Sequence, residues 1–173
     1  LSGSDVTFGA PENYNGSEEF SVSVSDGELS DSQTITVTVN AVNDIPVANA
    51  ASATTNEDES VVVTLSGNDV DGDALTYSLD TDAENGSVVV SGTVATYVPN
   101  QDFNGNDSFT FSVSDGELSA TAEVTVTIES VNDAPTLAAV SDVSFDEDGS
   151  GSTSLSADDV DGDSLEFSIS GGD

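Results

Sequence analysis

The sharpest chemical signal is Asp69-Val70-Asp71-Gly72-Asp73, which returns as Asp159-Val160-Asp161-Gly162-Asp163. Alternate aspartates around a tight turn set two or three carboxylates on one side, a spacing that suits a single hard cation. An EF-hand is excluded, because that loop needs glycine at its sixth position and glutamate at its twelfth. Those places hold Ala74 and Asp80 in one copy, and Ser164 and Ser170 in the other. No helical pattern frames either loop. The competing reading is an acidic Asp-Gly turn between two strands. Further acids stand where strands begin or end: Glu57-Asp58-Glu59 before an apolar run, Asp115 before Gly116, and Asn132-Asp133 in a linker.

The rest of the composition narrows the chemistry. The 173 residues include 34 Asp and Glu and no Lys, Arg, His, Cys, Met or Trp, for a formal net charge of −34. No side chain can switch protonation near neutrality, act as a thiolate, form a Schiff base or clamp an anion. The Cys/His zinc set is missing. Nucleic acid is excluded as a partner, since phosphates are met by Lys and Arg. Asp, Glu, Asn, Ser, Thr and backbone carbonyls remain, a hard-oxygen set that points to Ca²⁺. Paired carboxylates also serve glycoside hydrolysis, but nothing sets two of them across a cleft. The chain therefore reads as a non-enzyme. No apolar run reaches the ~18 residues of a membrane span. Leu1 is not an initiator Met, so the chain reads as a processed product, a fragment or a window on something longer.

The elements that must position these acids come in repeats. Ser23-Val-Ser-Asp-Gly-Glu-Leu-Ser30 returns 89 residues later as Ser112–Ser119, and Val42-Asn43-Asp44-Ile45-Pro46 returns as Val131-Asn132-Asp133-Ala134-Pro135. Asn56-Glu57-Asp58 is matched by Asp146-Glu147-Asp148. The unit is about 90 residues, a repeat architecture. Residues 1–46 carry the C-terminal half of a unit, 47–135 a complete one, and 136–173 the N-terminal half of a third. The Asn-Asp-x-Pro segments fall at the joints, where proline suits a stiff linker.

Val, Leu, Ile and Phe make up ~25% of the chain, above the composition of disordered segments. Their period is two. In the complete unit a leading strand is expected near 48–55, followed by Val61–Leu65, the Leu75/Tyr77/Leu79 alternation, Val88–Val90 and Val94–Val98. Phe109/Phe111/Val113 and Val124/Val126/Ile128 follow. About seven short strands at such spacings predict an all-β sandwich. On this frame the acids gather at the ends of the sandwich rather than on its faces. Many others serve as solvated surface. Tyr14 and Phe103, each before Asn-Gly, are expected to plug a sandwich end, with stacking on a sugar as the alternative. Tyr77 and Tyr97 are expected in the core.

The complete unit resembles the cadherin-like tandem repeats of large bacterial surface adhesins, immunoglobulin-like sandwiches that bind calcium. Asp69-Val70-Asp71 with Leu75–Leu79 is similar to the family's Asp-x-Asp motif and its next strand. Val113-Ser114-Asp115-Gly116 is similar to its x-Asp-x-Gly motif, and Asn132-Asp133-Ala134-Pro135 to its linker. Ser130 and Ala41 replace the acid that usually precedes Asn-Asp, and the family's Leu-Asp-Arg-Glu segment is missing. The resemblance implies two ion-binding joints. The first would use Asn43, Asp44, Asp69, Asp71 and Asp115, with Glu18 or Glu19 from above. The second would use Glu57, Glu59, Asn132, Asp133, Asp159 and Asp161, with Asp102 or Asp107.

The function expected from all this is mechanical: an extracellular, Ca²⁺-rigidified stalk or fibre of a bacterial surface adhesin, whose partners are neighbouring repeats or identical chains. Two alternatives stand beside it. One is a carbohydrate-binding module with an extracellular polysaccharide as partner. The other is a fibre subunit that assembles head to tail through its complementary half-repeats.

Overall fold

Alternating side chains become strand between residues 16 and 129. The computed structural model describes residues 5–171, and among them every regular element is a β-strand. A first hairpin joins β1 (Gly16–Ser25) to β2 (Ser30–Val39). Nine strands follow: β3 (Val47–Asn49), β4 (Ala51–Asn56), β5 (Val61–Thr64), β6 (Ser66–Asn68), β7 (Thr76–Thr81), β8 (Gly86–Ser91), β9 (Val94–Pro99), β10 (Gly105–Ser114) and β11 (Ser119–Glu129). Two short pieces, β12 (Thr136–Leu137) and β13 (Ala157–Asp158), complete the order.

Residues 47–129 make the two packed layers. One sheet runs β4-β11-β10-β7, with β4 parallel to β11 and the other pairs antiparallel. The other layer contains β5-β9-β8 and the β3–β6 pair. β5 and β6 are separated only by Leu65, whose amide donates to the Thr93 carbonyl at 2.8 Å. The expected leading strand is divided at Ala50. β3 pairs in one layer and β4 in the other, so this segment stitches the two sheets together.

Inward positions supply the core. Val63, Leu65, Val88, Ala95 and Tyr97 on one side meet Phe109, Phe111, Val113, Val124, Val126 and Ile128 on the other, all buried. Tyr77 stacks on Phe111 at 6.4 Å between ring centres, and Phe103 packs half-buried against the same cluster. Outward positions of β10 and β11 are Ser, Thr, Asn and Glu. The alternation visible in sequence is therefore the inside-outside pattern of the sandwich.

The flanking segments repeat parts of this plan. β1–β2 reproduces the register of β10–β11, from Gly16↔Val39 to Ser25↔Ser30 beside Gly105↔Ile128 to Ser114↔Ser119. β12–β13 reproduces β3–β6. No other strand pairs among the described residues after 135. The reason is topological. In the complete unit β4, β5 and β7 pair with β11, β9 and β10, all from its second half. A first half by itself can form only the β3–β6 contact.

Among the described residues, the acidic side chains buried as a whole are Glu57 and Asp107. Asp107 accepts from the amides of Glu84 and Asn85 at 3.2 and 2.9 Å, and from the Tyr97 hydroxyl at 2.9 Å. Burial, and then the Asp107 carboxylate, push the Tyr97 hydroxyl above the ordinary phenol range, so it stays a donor. Tyr97→Phe should cost about 2 kcal/mol in urea unfolding, because it withdraws a donor from a buried carboxylate.

Candidate metal centres

Acids collect at both ends of the 47–129 sandwich. At the first joint the Asp69 Oδ1 accepts from the amides of Asp71, Gly72 and Asp73 at 2.9, 3.0 and 3.3 Å. This side-chain cap curls the loop, with Gly72 in the left-handed region at φ 82°. Three carboxylates result, each offering an oxygen within 4.8 Å of the others: Asp69, Asp71 and Asp73. The incoming linker docks here. The Asp44 amide donates to Asp71 Oδ2 at 2.8 Å, and Asn43 Nδ2 donates to Asp115 Oδ2 at 2.9 Å.

The second joint is built at the opposite end. Glu57 is buried and accepts from the Val131 amide through Oε1, while Asn104 Nδ2 reaches Oε2 at 3.4 Å. The Asp133 amide donates to Asp161 Oδ2 at 2.7 Å, repeating the contact of Asp44 with Asp71. Oxygens of Glu57, Asp133 and Asp161 lie within 4.8 Å of one another, and so do those of Asp58, Asp102 and Asp133. Asp58 and Asp102 both hold left-handed backbone, φ 59° and 56°, which aspartate tolerates better than most residues. The Asp102 amide donates to Asp58 Oδ1 at 3.2 Å. Asp133 thus touches both clusters.

Two oxygens in these clusters have no donor. Asp69 Oδ2 and Asp133 Oδ2 are closed to solvent and unpartnered. A shielded carboxylate oxygen without a donor is costly, and its neighbours here are other carboxylates. Burial first, then Asp102, Asp161, Glu57 and Asp58, raise the Asp133 pKa above the ordinary carboxylate range.

Not every acid singled out by sequence enters a cluster. Asp115 is engaged in its own hairpin turn, where Oδ1 accepts from the amides of Glu117 and Leu118, both at 2.7 Å. These bonds, with Asn43, hold its pKa below the usual carboxylate range. Asp26 makes the same turn at 2.9 and 2.8 Å, and its pKa is lowered in the same way. Glu59 reaches Asn56 Nδ2 at 3.5 Å, Asn132 Nδ2 donates to the Asp133 carbonyl at 3.0 Å, and Asp159 caps its loop through the amides of Asp161 and Asp163. Asp44 joins its joint through the backbone. Of Asp102 and Asp107, Asp102 stands in a cluster and Asp107 in the sandwich. Glu18 accepts from the Tyr14 hydroxyl at 2.9 Å, and neither it nor Glu19 is in a cluster. Asp73 supplies the third carboxylate of its motif, whereas Asp58 was not among the expected ligands.

Residues 43–127 match the family described as the bacterial Ig domain. No curated protein matches the chain. Among solved structures, an endo-fucoidan hydrolase of glycoside hydrolase family 107 aligns over 68% of this chain and 19% of its own, at 26% identity and a TM-score of 0.42. The chain thus spans about a fifth of that hydrolase. Human protocadherin-24 EC1-2 aligns over 67% of this chain and 62% of its own, at 20% identity and a TM-score of 0.45. Drosophila N-cadherin EC1-3 aligns over 59% and 41%, at 11% identity and a TM-score of 0.40.

The titrations give opposed signs. Asp26 and Asp115, with lowered folded pKa values, add stability above the ordinary carboxylate range that is lost as pH falls through those values. Asp133, with a raised one, costs stability above its folded pKa, and that cost is relieved as pH falls through it. In chelator, Asp133→Asn should therefore raise the melting temperature at pH 7 and leave it unchanged near pH 3. Asp115→Asn should lower it at pH 7.

Proposed function

We propose that the chain, whose residues 43–127 match the bacterial Ig domain family, is a calcium-stiffened segment of an extracellular adhesive stalk on a bacterial surface. One observation carries this reading. Asp69 Oδ2 and Asp133 Oδ2 are shut off from water without a donor, one at each end of the domain and each inside a cluster of carboxylates. A hard divalent cation fits both places. The ligands on offer are oxygens only, and side chains that would compete as cations are absent. Asp69, Asp71 and Asp73 would hold it at the first joint. Glu57, Asp58, Asp102, Asp133 and Asp161 would hold it at the second. The bound ion would neutralise carboxylates that repel one another.

The protein's own residues couple such a site to the shape of the chain. Asp44 and Asp133 lie in linkers, and their amides are fastened to Asp71 and Asp161 of the following segment. Glu57 grips the outgoing linker at Val131. Rotation at a joint would break these bonds and separate acids gathered from both sides. Ion binding therefore opposes bending and adds to folding stability. A chain without Lys or Arg also offers trypsin-like proteases no cleavage site, which suits an exposed fibre.

The half-repeat division supports a second, compatible reading. Val24 is 71% exposed where its counterpart Val113 is 0% exposed. Phe20 and Val22 are likewise open where Phe109 and Phe111 are buried, and Leu155, Phe167 and Ile169 are open beyond residue 135. We read 1–46 and 136–173 as complementary halves of such domains. Each needs the other kind of half, from adjoining sequence or from another copy arranged head to tail.

Thermal melts followed by circular dichroism test the ion sites. Ca²⁺ at about 100 times its Kd should stabilise the chain by about 2.7 kcal/mol, with Mg²⁺ much weaker. Asp69→Asn and Asp133→Asn should each remove much of the Ca²⁺ response. Coincident curves in Ca²⁺, Mg²⁺ and chelator would reduce the clusters to solvated surface and sink the stalk-stiffening reading.

A further inference from the structure

Asparagine precedes glycine three times, at Asn15-Gly16, Asn85-Gly86 and Asn104-Gly105. In such a pair the glycine nitrogen can reach the asparagine side-chain carbon, because no Cβ stands in the way. By sequence the three pairs are equal. The fold treats them differently.

Asn85-Gly86 is locked. The Asn85 amide donates to Asp107 Oδ2 at 2.9 Å, and its carbonyl accepts from the Asn100 amide at 2.8 Å and the Tyr97 hydroxyl at 3.4 Å. Gly86 lies flat on the Tyr97 ring, where an added Cβ would come within 2.5 Å of Cε2. The peptide between them has no freedom to turn toward the side chain.

The other two pairs are held at fewer points. Asn104 is exposed, and its side chain makes only the long 3.4 Å contact from Nδ2 to Glu57 Oε2. Gly105 opens β10 at a φ of 131°, with only the Phe103 ring within 4 Å of a Cβ position. Asn15 is exposed with no side-chain hydrogen bond among the described residues, and Gly16 opens β1 at a φ of 141°. Strand ends fray before strand centres. Both pairs also stand at joints. Asn15 lines an open groove with Asp71, Asp73 and Asp115, and Asn104 touches Glu57.

We propose that Asn15 and Asn104 are sites of spontaneous deamidation, which adds a carboxylate to each joint after the chain has folded. The glycine nitrogen attacks the asparagine Cγ. The bond from Cγ to Nδ2 breaks, and the glycine proton leaves with that nitrogen as ammonia. Water then opens the cyclic imide at either carbonyl, giving aspartate or isoaspartate. The sum consumes one water and releases one ammonia, with no change of oxidation state. A neutral amide thereby becomes an anion beside acids that already repel one another. On the cation reading above, from which this consequence follows, each joint depends more on its ion as the chain ages.

Ageing the full chain at mildly alkaline pH, followed by peptide mapping with an acid-specific protease, tests the sites. Asn15 and Asn104 should each gain about 1 Da and acquire isoaspartate, while Asn85 stays an amide. In urea all three should convert alike. Conversion of Asn85 as fast as the other two in the folded chain overturns the proposal. So does a folded chain in which Asn15 and Asn104 stay amides while the urea sample converts. Asn104→Asp tests the placement. In chelator it should melt below the wild type, since the new carboxylate faces Glu57, and an unchanged midpoint overturns the joint assignment. Ca²⁺ should then raise the midpoint of Asn104→Asp more than that of the wild type. If the mapping and the chelator melt come out as expected and Ca²⁺ raises neither midpoint, the modification stands and the cation reading falls.

Discussion

Repulsion among carboxylates is the constraint to which the rest of the structure answers. With 34 acids and no cationic side chain, no ion pair between side chains can offset desolvation of an acid. Among the described residues the fold keeps all but two acids out of the interior. Asp107 is held by three amides and a tyrosine hydroxyl, and Glu57 by an amide and an asparagine. Elsewhere acids cap turns with backbone amides, as Asp26, Asp69, Asp115 and Asp159 do. Backbone N–H groups are the chain's principal positive ends, and it uses them repeatedly. Where several acids crowd and amides run out, oxygens are left without donors, and that happens at the two joints.

The joints follow from how the sandwich closes. Each sheet draws strands from both halves of the unit, so its ends carry loops from distant parts of the chain. The Asp69–Asp73 loop and the Asp115 turn sit at one end with the incoming linker. Glu57-Asp58, Asp102 and the outgoing linker sit at the other. Loops at the ends of a rigid sandwich can be charged without disturbing the core, which is why chemistry concentrates there. The flanking stretches form only the two-stranded pairs β1–β2 and β12–β13 among the described residues.

The repeat makes the two ends related but unequal. Asp44 with Asp71 and Asp133 with Asp161 are the same linker contact. Asn13 stands in the left-handed turn where Asp102 stands one unit later. At that position the first unit has a neutral amide and the second a carboxylate.

Much of this was legible in the sequence. Period-two alternation of Val, Phe, Leu and Ile marked the strands, and the 89-residue recurrence marked the unit, because both depend only on which residues face a common core. The Asp69–Asp73 loop was legible because its geometry is local: one aspartate caps the amides that follow it. What the tertiary structure decided is non-local. Asp58, Asp102 and Asp133 are far apart in sequence and meet only because sandwich closure brings a strand start, a left-handed turn and a linker to one end. Asp102 and Asp107 are near neighbours in sequence and equally acidic, yet one faces the joint and the other the core. Strand β10 begins between them, and within it the alternation turns Asp107 toward Tyr97.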